Sequence, residues 1–168
     1  MRTILLLPLL ALGTGLNAAV PAPHVAARSF EQLAQPLPLP YDTQADAAAS
    51  LLAAKARAKA AGKLLLIDLG GNWCLDCRIL AGTIALNDLA PWVHRHYELV
   101  TVDVGRFDKN LAIPAHYGIT GRLKGVPSLL VVDPRSDRLL NAGDTAALSD
   151  ARSLSPQGLA DYLAKWAR

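Results

Sequence analysis

Residues 64–80 read LLLIDLGGNWCLDCRIL and contain the two cysteines of the 168-residue chain, Cys74 and Cys77. The stretch begins with a continuous apolar run that only Asp68 interrupts. Short runs that are apolar on both faces are typical of central strands in parallel or mixed sheets. The glycine-rich connection that follows predicts a helix beginning near Cys74, so that both cysteines lie at the start of that helix.

Helical and strand patterns alternate along the rest of the chain. We expect an alanine-rich helix that Asp42 or Thr43 caps and that ends at Gly62. The order αβαβαββα then predicts an α/β fold with a central mixed sheet flanked by helices. The further predicted elements are strands at 98–104 and 126–133, helices at about 89–97 and 109–117, a hairpin strand after residue 133 and a last helix from Ser155.

The N-terminus has the features of a secretory signal. Arg2 is followed by an apolar run at 4–12 and by small residues at 17–19, where we expect cleavage. The apolar run is shorter than the ~20 residues of a transmembrane helix, and export implies a periplasmic location. The predicted divisions are a signal peptide at 1–19, a proline-rich linker or strap at 20–40 and one domain at 41–168.

Composition and charge narrow the class of partner. Hydrophobic residues make up 52% of the sequence, which is enough for a core that needs no cysteine cross-links. The 17 Lys and Arg residues against 14 Asp and Glu residues give a net charge of only +3. Such a balance indicates neither a nucleic acid nor an anionic membrane as partner, and we expect a monomer.

Three roles fit the cysteine pair poorly: a structural disulfide, a metal site and haem attachment. A disulfide across about four residues stabilises a fold by only about 2 kcal/mol on the loop-length relation, so the pair is a weak staple. A zinc or copper(I) site needs more ligands than two thiolates, and the available candidates are His94, His96 and His116. Haem attachment requires a histidine at the position that Arg78 occupies.

A working dithiol fits the spacing. Cysteines three residues apart at a helix start lie on one face, roughly 5–6 Å apart, within the range of a disulfide. Free N–H groups and the helix dipole would stabilise a thiolate on Cys74, which can attack a substrate disulfide. Cys77 would then resolve the mixed disulfide. Desolvation of Asp68 inside the strand would raise its pKa and suit it to proton transfer near neutral pH.

The segments IDLGGNWCLDC at 67–77 and GVPSLLVVD at 125–133 together resemble the thioredoxin superfamily. Residues 43–168 resemble in particular exported thioredoxin-like proteins related to the C-terminal domain of the thiol:disulfide interchange protein DsbD. The resemblance implies a thioredoxin-like fold and thiol-disulfide oxidoreductase activity. It also implies that the Cys74–Cys77 disulfide is the redox-active group and that no other cofactor is needed.

The resemblance carries roles to individual residues. Cys74 matches the nucleophile, Cys77 the resolving cysteine, and Asp68 the buried carboxylate that moves the proton of the resolving cysteine. Three further matches concern substrate binding: the flanking indole is Trp73, the residue whose backbone pairs with a bound peptide is Val126, and the cis-proline that faces the dithiol is Pro127.

Three features depart from the family pattern. The dipeptide between the cysteines is Leu75-Asp76, where thioredoxin has Gly-Pro. At a partly exposed helix end, Asp76 should raise the pKa of Cys74 and make the disulfide less oxidising. Arg78 acts in the opposite direction. The family's lysine on the neighbouring strand is replaced near Leu99. The basic loop 120–124 is longer than in the family, and either contacts a partner or is a tolerated insertion.

The sequence therefore predicts an exported enzyme that reduces or exchanges protein disulfides. Because a periplasmic dithiol needs an electron donor, a membrane thiol transporter is the expected reductant. Two alternatives stay open: a module that handles copper(I) or another metal, and a redox-silent binding domain that keeps only the scaffold.

Overall fold

The computed structural model describes residues 20–168. The predicted signal peptide, residues 1–19, lies outside the described residues. No helix within the described range is long and apolar enough to cross a lipid bilayer. The helices and strands are α1 (Ala47–Ala61), β1 (Leu64–Gly70), α2 (Leu75–Ile84), α3 (Ala90–His96), β2 (Tyr97–Asp103), α4 (Ala112–His116), β3 (Ser128–Asp133), β4 (Arg138–Leu139) and α5 (Pro156–Ala164).

The strands form a mixed sheet in the order β2-β1-β3-β4. Strand β1 pairs in parallel with β2 and antiparallel with β3, and β4 extends the sheet as the hairpin partner of β3. Every residue of β1 is buried, as its continuous apolar run predicts. The predicted fold class, an α/β fold with a central mixed sheet flanked by helices, is confirmed.

Two apolar cores lie on the two faces of this sheet. Alternate residues of β1 point to opposite faces, so Leu64 and Leu66 contribute to one core, and Leu65 and Ile67 to the other. The first core packs against α2, α3 and α5. The second packs against α1 and α4 and also contains both cysteines.

Helix boundaries follow the capping signals, with one correction. The side chain of Ser155 accepts a hydrogen bond from the backbone N–H of Gly158 at the start of α5, as predicted. Gly62 ends α1 in the left-handed conformation, at φ 68°. The prediction that Asp42 or Thr43 caps α1 is wrong, because Asp46 is the cap and accepts from the N–H of Ala49 at 3.0 Å.

The proline-rich segment 20–40 packs against the first core. Val25 and Leu33 are buried there, and the carbonyl oxygen of Pro21 accepts a hydrogen bond from Trp92 Nε1 at 3.0 Å. Arg78 in α2 donates to backbone carbonyls near the end of the segment. These contacts bring the segment across the start of α2, where the cysteines lie.

Candidate active site

The two cysteines lie where the carboxyl end of β1 turns into α2. Cys74 is the N-cap residue of α2 and Cys77 is the third residue of the helix. The backbone N–H of Cys77 donates to Cys74 Sγ at 3.2 Å, so a free N–H of the helix start points at the sulfur. Both residues are buried and both are free thiols. The strand-to-helix connection therefore brings the two sulfurs together, as the sequence predicts.

The two thiols have pKa values displaced in opposite directions. The side-chain hydrogen bond with Cys77 lowers the pKa of Cys74, more than burial raises it, and the backbone N–H of Cys77 adds to this lowering. The same hydrogen bond, together with burial, raises the pKa of Cys77. Of the two thiols, Cys74 therefore gives up its proton at the lower pH, and Cys77 keeps its proton to a higher pH.

Asp68 lies in β1, two residues before the strand ends and the chain connects to α2. Its residue surface is only 2% exposed, and burial raises its pKa to about 7, although a hydrogen bond from Tyr41 acts in the opposite direction. The Tyr41 hydroxyl donates to Asp68 Oδ1 at 2.9 Å. A carboxyl group with this pKa exchanges its proton readily at neutral pH.

Tyr41 is a site residue that the sequence did not reveal. It follows the proline-rich segment, and its backbone N–H and carbonyl oxygen both bond to the side chain of Asn72, at 3.0 and 2.8 Å. Gly70 leaves the space that this arrangement needs, because a Cβ there would lie 2.2 Å from the Tyr41 hydroxyl and 2.8 Å from Cys77 Sγ. The side chains of Tyr41 and Cys77 thus meet beside Gly70, and the Tyr41 hydroxyl links this position to Asp68.

Tyr41→Phe is expected to raise the pKa of Asp68, because it removes the hydrogen bond that stabilises the carboxylate. A hydrogen bond to a charged group contributes ~1.5 kcal/mol or more, so the pH profile of mixed-disulfide resolution should move up by about one pH unit. Stopped-flow rates from pH 5 to 9 measure this. Tyr97→Phe is the matched control, since the buried Tyr97 hydroxyl bonds to the carbonyl of Leu163 instead. Equal profiles in both variants would contradict a role for Tyr41.

The residues matched to substrate binding border Cys74. The Cys74 thiol donates to the carbonyl oxygen of Val126 at 3.4 Å, and the Val126–Pro127 peptide bond is cis. Trp73 is 43% exposed, and its Nε1 donates to the carbonyl oxygen of Gly105 at 2.7 Å. The structure therefore places Trp73 and Val126 next to Cys74, with Pro127 next in sequence.

The surroundings of Asp76 differ from the prediction. Asp76 is buried, with 4% of its surface exposed, and not at a partly exposed helix end. Its carboxylate accepts from the backbone N–H and Nε of Arg152, both at 3.0 Å, and forms an ion pair with Arg152 Nη2. Burial raises the pKa of Asp76, but the hydrogen bonds and charge of Arg152 outweigh this and lower it. Arg78, the expected counter-charge, instead donates to the carbonyls of Leu37 and Pro38.

Arg152→Gln is expected to raise the pKa of Cys74, because the Asp76 carboxylate is then less neutralised and opposes a nearby thiolate. A repulsion of ~1 kcal/mol between the Asp76 carboxylate and the Cys74 thiolate raises the pKa of Cys74 by under about one pH unit. The reduction potential of the dithiol falls by about 20 mV. Asp76→Asn should change both quantities in the opposite direction. The pH dependence of Cys74 alkylation measures the pKa, and identical profiles in the two variants would show that the pair does not act on the sulfur.

The register of β2 shows which residue lies beside Asp68 in the sheet. Leu99 pairs with Leu66, whereas Thr101 lies opposite Asp68 and donates its hydroxyl to the carbonyl oxygen of Pro40. The strand neighbour of Asp68 is therefore a threonine that bonds to the proline-rich segment.

The three histidines considered for a metal site lie on α3 and α4. His94 and His96 lie on α3, where the His96 ring contacts Trp92, and His116 in α4 bonds to Asp137 at 2.9 Å. Within residues 20–168, no three His, Cys, Asp or Glu side chains come together as a group that could hold a metal ion. No contact in this part of the chain favours the metal-handling alternative.

A family model and two solved structures are similar to this chain. The model of a family described as thioredoxin-like matches residues 46–134. A disulphide isomerase of Xylella fastidiosa Temecula1 is 36% identical, with a TM-score of 0.69, over 77% of this chain and 97% of that structure. The DsbD C-terminal domain of Neisseria meningitidis, in the oxidised form, is 23% identical over 57% of this chain and 83% of that one, with a TM-score of 0.41.

One curated relative is a much longer protein. Thiol:disulfide interchange protein DsbD 1 of Pseudomonas aeruginosa is 30% identical over 109 residues, which are 61% of this chain and 18% of that protein. The chain thus spans about a fifth of the length of this relative.

Proposed function

Because the chain belongs to the thioredoxin-like family, we propose that it is an exported thiol-disulfide oxidoreductase whose dithiol reduces or exchanges disulfides of other proteins. The observation that carries the proposal is the pair of thiols with opposed pKa displacements, Cys74 lowered and Cys77 raised, beside a carboxyl group of pKa about 7. A structural cysteine pair needs no such asymmetry.

The first step is the attack of the Cys74 thiolate on one sulfur of a substrate disulfide. A new S–S bond forms between Cys74 and that sulfur, the substrate S–S bond breaks, and the other substrate sulfur leaves as a thiolate that takes a proton from water. In this proposal a bound peptide backbone pairs with Val126, and the hydrogen bond from the Cys74 thiol to the Val126 carbonyl oxygen supports that placement. Trp73 provides exposed apolar surface next to the attacked bond.

The second step regenerates the substrate thiol and oxidises the protein. Cys77 gives its proton to the Asp68 carboxylate, and its sulfur attacks Cys74 Sγ. The mixed disulfide breaks, the substrate thiolate leaves and is protonated, and the Cys74–Cys77 disulfide remains. Two electrons have passed from the dithiol to the substrate. Tyr41, which bonds to Asp68, orients the carboxyl group that takes the proton.

A cycle of this kind needs a further dithiol to reduce the protein again. In the periplasm, where we place the chain, no glutathione pool of the cytosolic kind keeps thiols reduced. A membrane thiol transporter is the donor class that we propose, and the similarity to part of DsbD 1 supports it.

The proposed activity can be tested with one peptide that contains a single intramolecular disulfide. Reduced protein, in slight excess, should convert the peptide to its dithiol and itself become the Cys74–Cys77 disulfide, one for one. Mass spectrometry after alkylation counts the thiols on both partners. The matched control is the Cys74→Ala variant, which should leave the peptide oxidised. If wild-type protein also leaves the peptide oxidised, the redox-silent alternative is correct.

A further inference from the structure

A chain of contacts between two guanidinium groups and two aromatic rings begins next to Cys74. The guanidinium carbon of Arg106 lies 4.5 Å from the ring centroid of Trp73, the residue that precedes Cys74. The Trp73 and Phe107 centroids are 6.0 Å apart, and the guanidinium carbon of Arg122 lies 4.5 Å from the Phe107 centroid. We call these four residues, Arg106, Trp73, Phe107 and Arg122, the cationic-aromatic surface.

The backbone holds the two rings in place. Trp73 Nε1 bonds to the carbonyl of Gly105, and the backbone N–H of Phe107 donates to the carbonyl of Val104 at 2.9 Å. Phe107 has a φ of 71°, a left-handed conformation that bulky residues rarely adopt. Such outliers persist only where surrounding contacts fix them, and they cluster at functional sites. The surface is therefore preorganised, which reduces the entropy lost on binding.

The positive charges of this surface and of the neighbouring Lys124 are not neutralised within the described chain. Among residues 20–168, no carboxylate oxygen lies within 4.0 Å of the guanidinium groups of Arg106 and Arg122 or of Lys124 Nζ. The nearby Asp108 uses its Oδ1 to accept from the backbone N–H of Arg106, at 2.8 Å.

A cleft extends the cationic side of this surface toward the cis peptide bond. Arg122 and Lys124 line this cleft, which has a volume of about 360 Å³. Asp144 also lines it, and its carboxylate forms an ion pair with Lys165. Ser128, the residue after Pro127, lines it as well. The basic loop 120–124 is anchored by the buried side chain of Leu123, so its two cations project from a fixed base. Cationic groups thus lie near both flanks of the exchange site, at Trp73 and beyond Pro127.

We propose that the cationic-aromatic surface selects partner disulfides that are flanked by acidic residues, an inference that rests on the proposed thiol-disulfide exchange. A guanidinium that stacks with its face on an aromatic ring keeps its N–H edge free, and that edge matches a carboxylate with two parallel hydrogen bonds. Unpaired cations around an entry site also raise the encounter rate of anionic partners. The basic loop then acts as a specificity element and not as a neutral insertion.

Three peptides of equal length, each with one intramolecular disulfide, test this inference. Their flanking residues are aspartate, asparagine or lysine, and the measured quantity is the second-order rate constant of reduction by the dithiol form. At low salt we expect the acidic peptide to react about five- to tenfold faster than the neutral one. The ratio should shrink toward one at high salt, where the screening length falls to about 3 Å.

The double variant Arg106→Gln, Arg122→Gln should lower the acidic-to-neutral ratio to near one. The matched control is Arg95→Gln. Arg95 is exposed and lies in α3, just before β2 begins. The start of β2 is at the edge of the sheet opposite the dithiol, so the loss of Arg95 should leave the ratio unchanged.

The outcomes separate the two proposals. A wild-type ratio near one, or a ratio that the double variant does not lower, would overturn the preference for acidic partners and leave the exchange activity in place. A ratio that falls equally in the Arg95→Gln control would also overturn it, because the effect would then be one of overall charge. Failure to reduce any of the three peptides would overturn the proposed function and this inference with it.

Discussion

Replacing Asp68 by asparagine is expected to raise the free energy of unfolding at pH 8 by about 4 kcal/mol and to slow the resolution of mixed disulfides. The native pKa of Asp68, about 7, stands about three pH units above its ordinary value of 3.8 because the carboxyl group is buried. Each pH unit corresponds to about 1.36 kcal/mol, so holding the ionised carboxylate in the native state costs about 4 kcal/mol. Asparagine keeps the shape and carries no charge.

The direction in which stability changes with pH follows from proton binding in the native and unfolded states. Below pH 3.8 the carboxyl group is protonated in both the native and the unfolded chain, so it contributes no pH dependence. Between pH 3.8 and about 7 only the native state keeps the proton, and stability falls as pH rises. Above about 7 both states are ionised and the loss is complete. The difference in stability between Asp68→Asn and wild type should therefore grow from pH 5 to pH 8.

Urea unfolding at several pH values measures this difference. Asp133→Asn is a suitable control, because hydrogen bonds from the backbone of Arg135 and from Arg168 lower the pKa of Asp133 to about 2. Its native and unfolded pKa values both lie below pH 5, so its effect should be constant from pH 5 to 8. A constant difference for Asp68→Asn as well would contradict the raised pKa. Resolution rates that are unchanged from pH 6 to 8 would return Asp68 to a structural role.

Cys77→Ala is expected to accumulate mixed disulfides with a substrate peptide, whereas Cys74→Ala should give at least about tenfold less of this product. Cys74 retains its position at the helix start and can still attack, but without Cys77 nothing resolves the bond. Cys77 has no exposed surface and a raised pKa, so it is a poor nucleophile when Cys74 is removed. Non-reducing gel electrophoresis and mass spectrometry quantify the adducts. The reverse pattern would overturn the assignment of attacking and resolving cysteines.

Local patterns predicted the sheet and the position of the dithiol. The run at 64–69 is apolar on both faces, which only a central strand requires, and the structure buries all of β1. The predicted strand at 98–104 is observed one residue earlier, at Tyr97–Asp103. Cys74 and Cys77 are close because a three-residue spacing at a helix start places them on one side, whatever the rest of the chain does.

The residues that the sequence did not reveal reach the site over long separations. The hydroxyl of Tyr41 bonds to Asp68 across 27 positions, and Arg152 bonds to Asp76 across 76. No periodicity of the chain encodes such pairs, because they depend on how Tyr41 packs against β1 and how the turn before α5 packs on α2. The burial of Asp76 was missed for the same reason: the short 3-10 turn at Ala151–Ser153 covers it.

A redox titration of the wild-type protein in glutathione buffers at pH 7 tests most directly whether Cys74 and Cys77 form one working dithiol. Alkylation and mass spectrometry at each buffer ratio count the free thiols. We predict that both thiols disappear together in a single two-electron transition, at a potential nearer to the about −270 mV of thioredoxin than to the about −120 mV of DsbA. Separate oxidation of the two cysteines to glutathione adducts, or a pair that stays reduced throughout, would contradict the assignment.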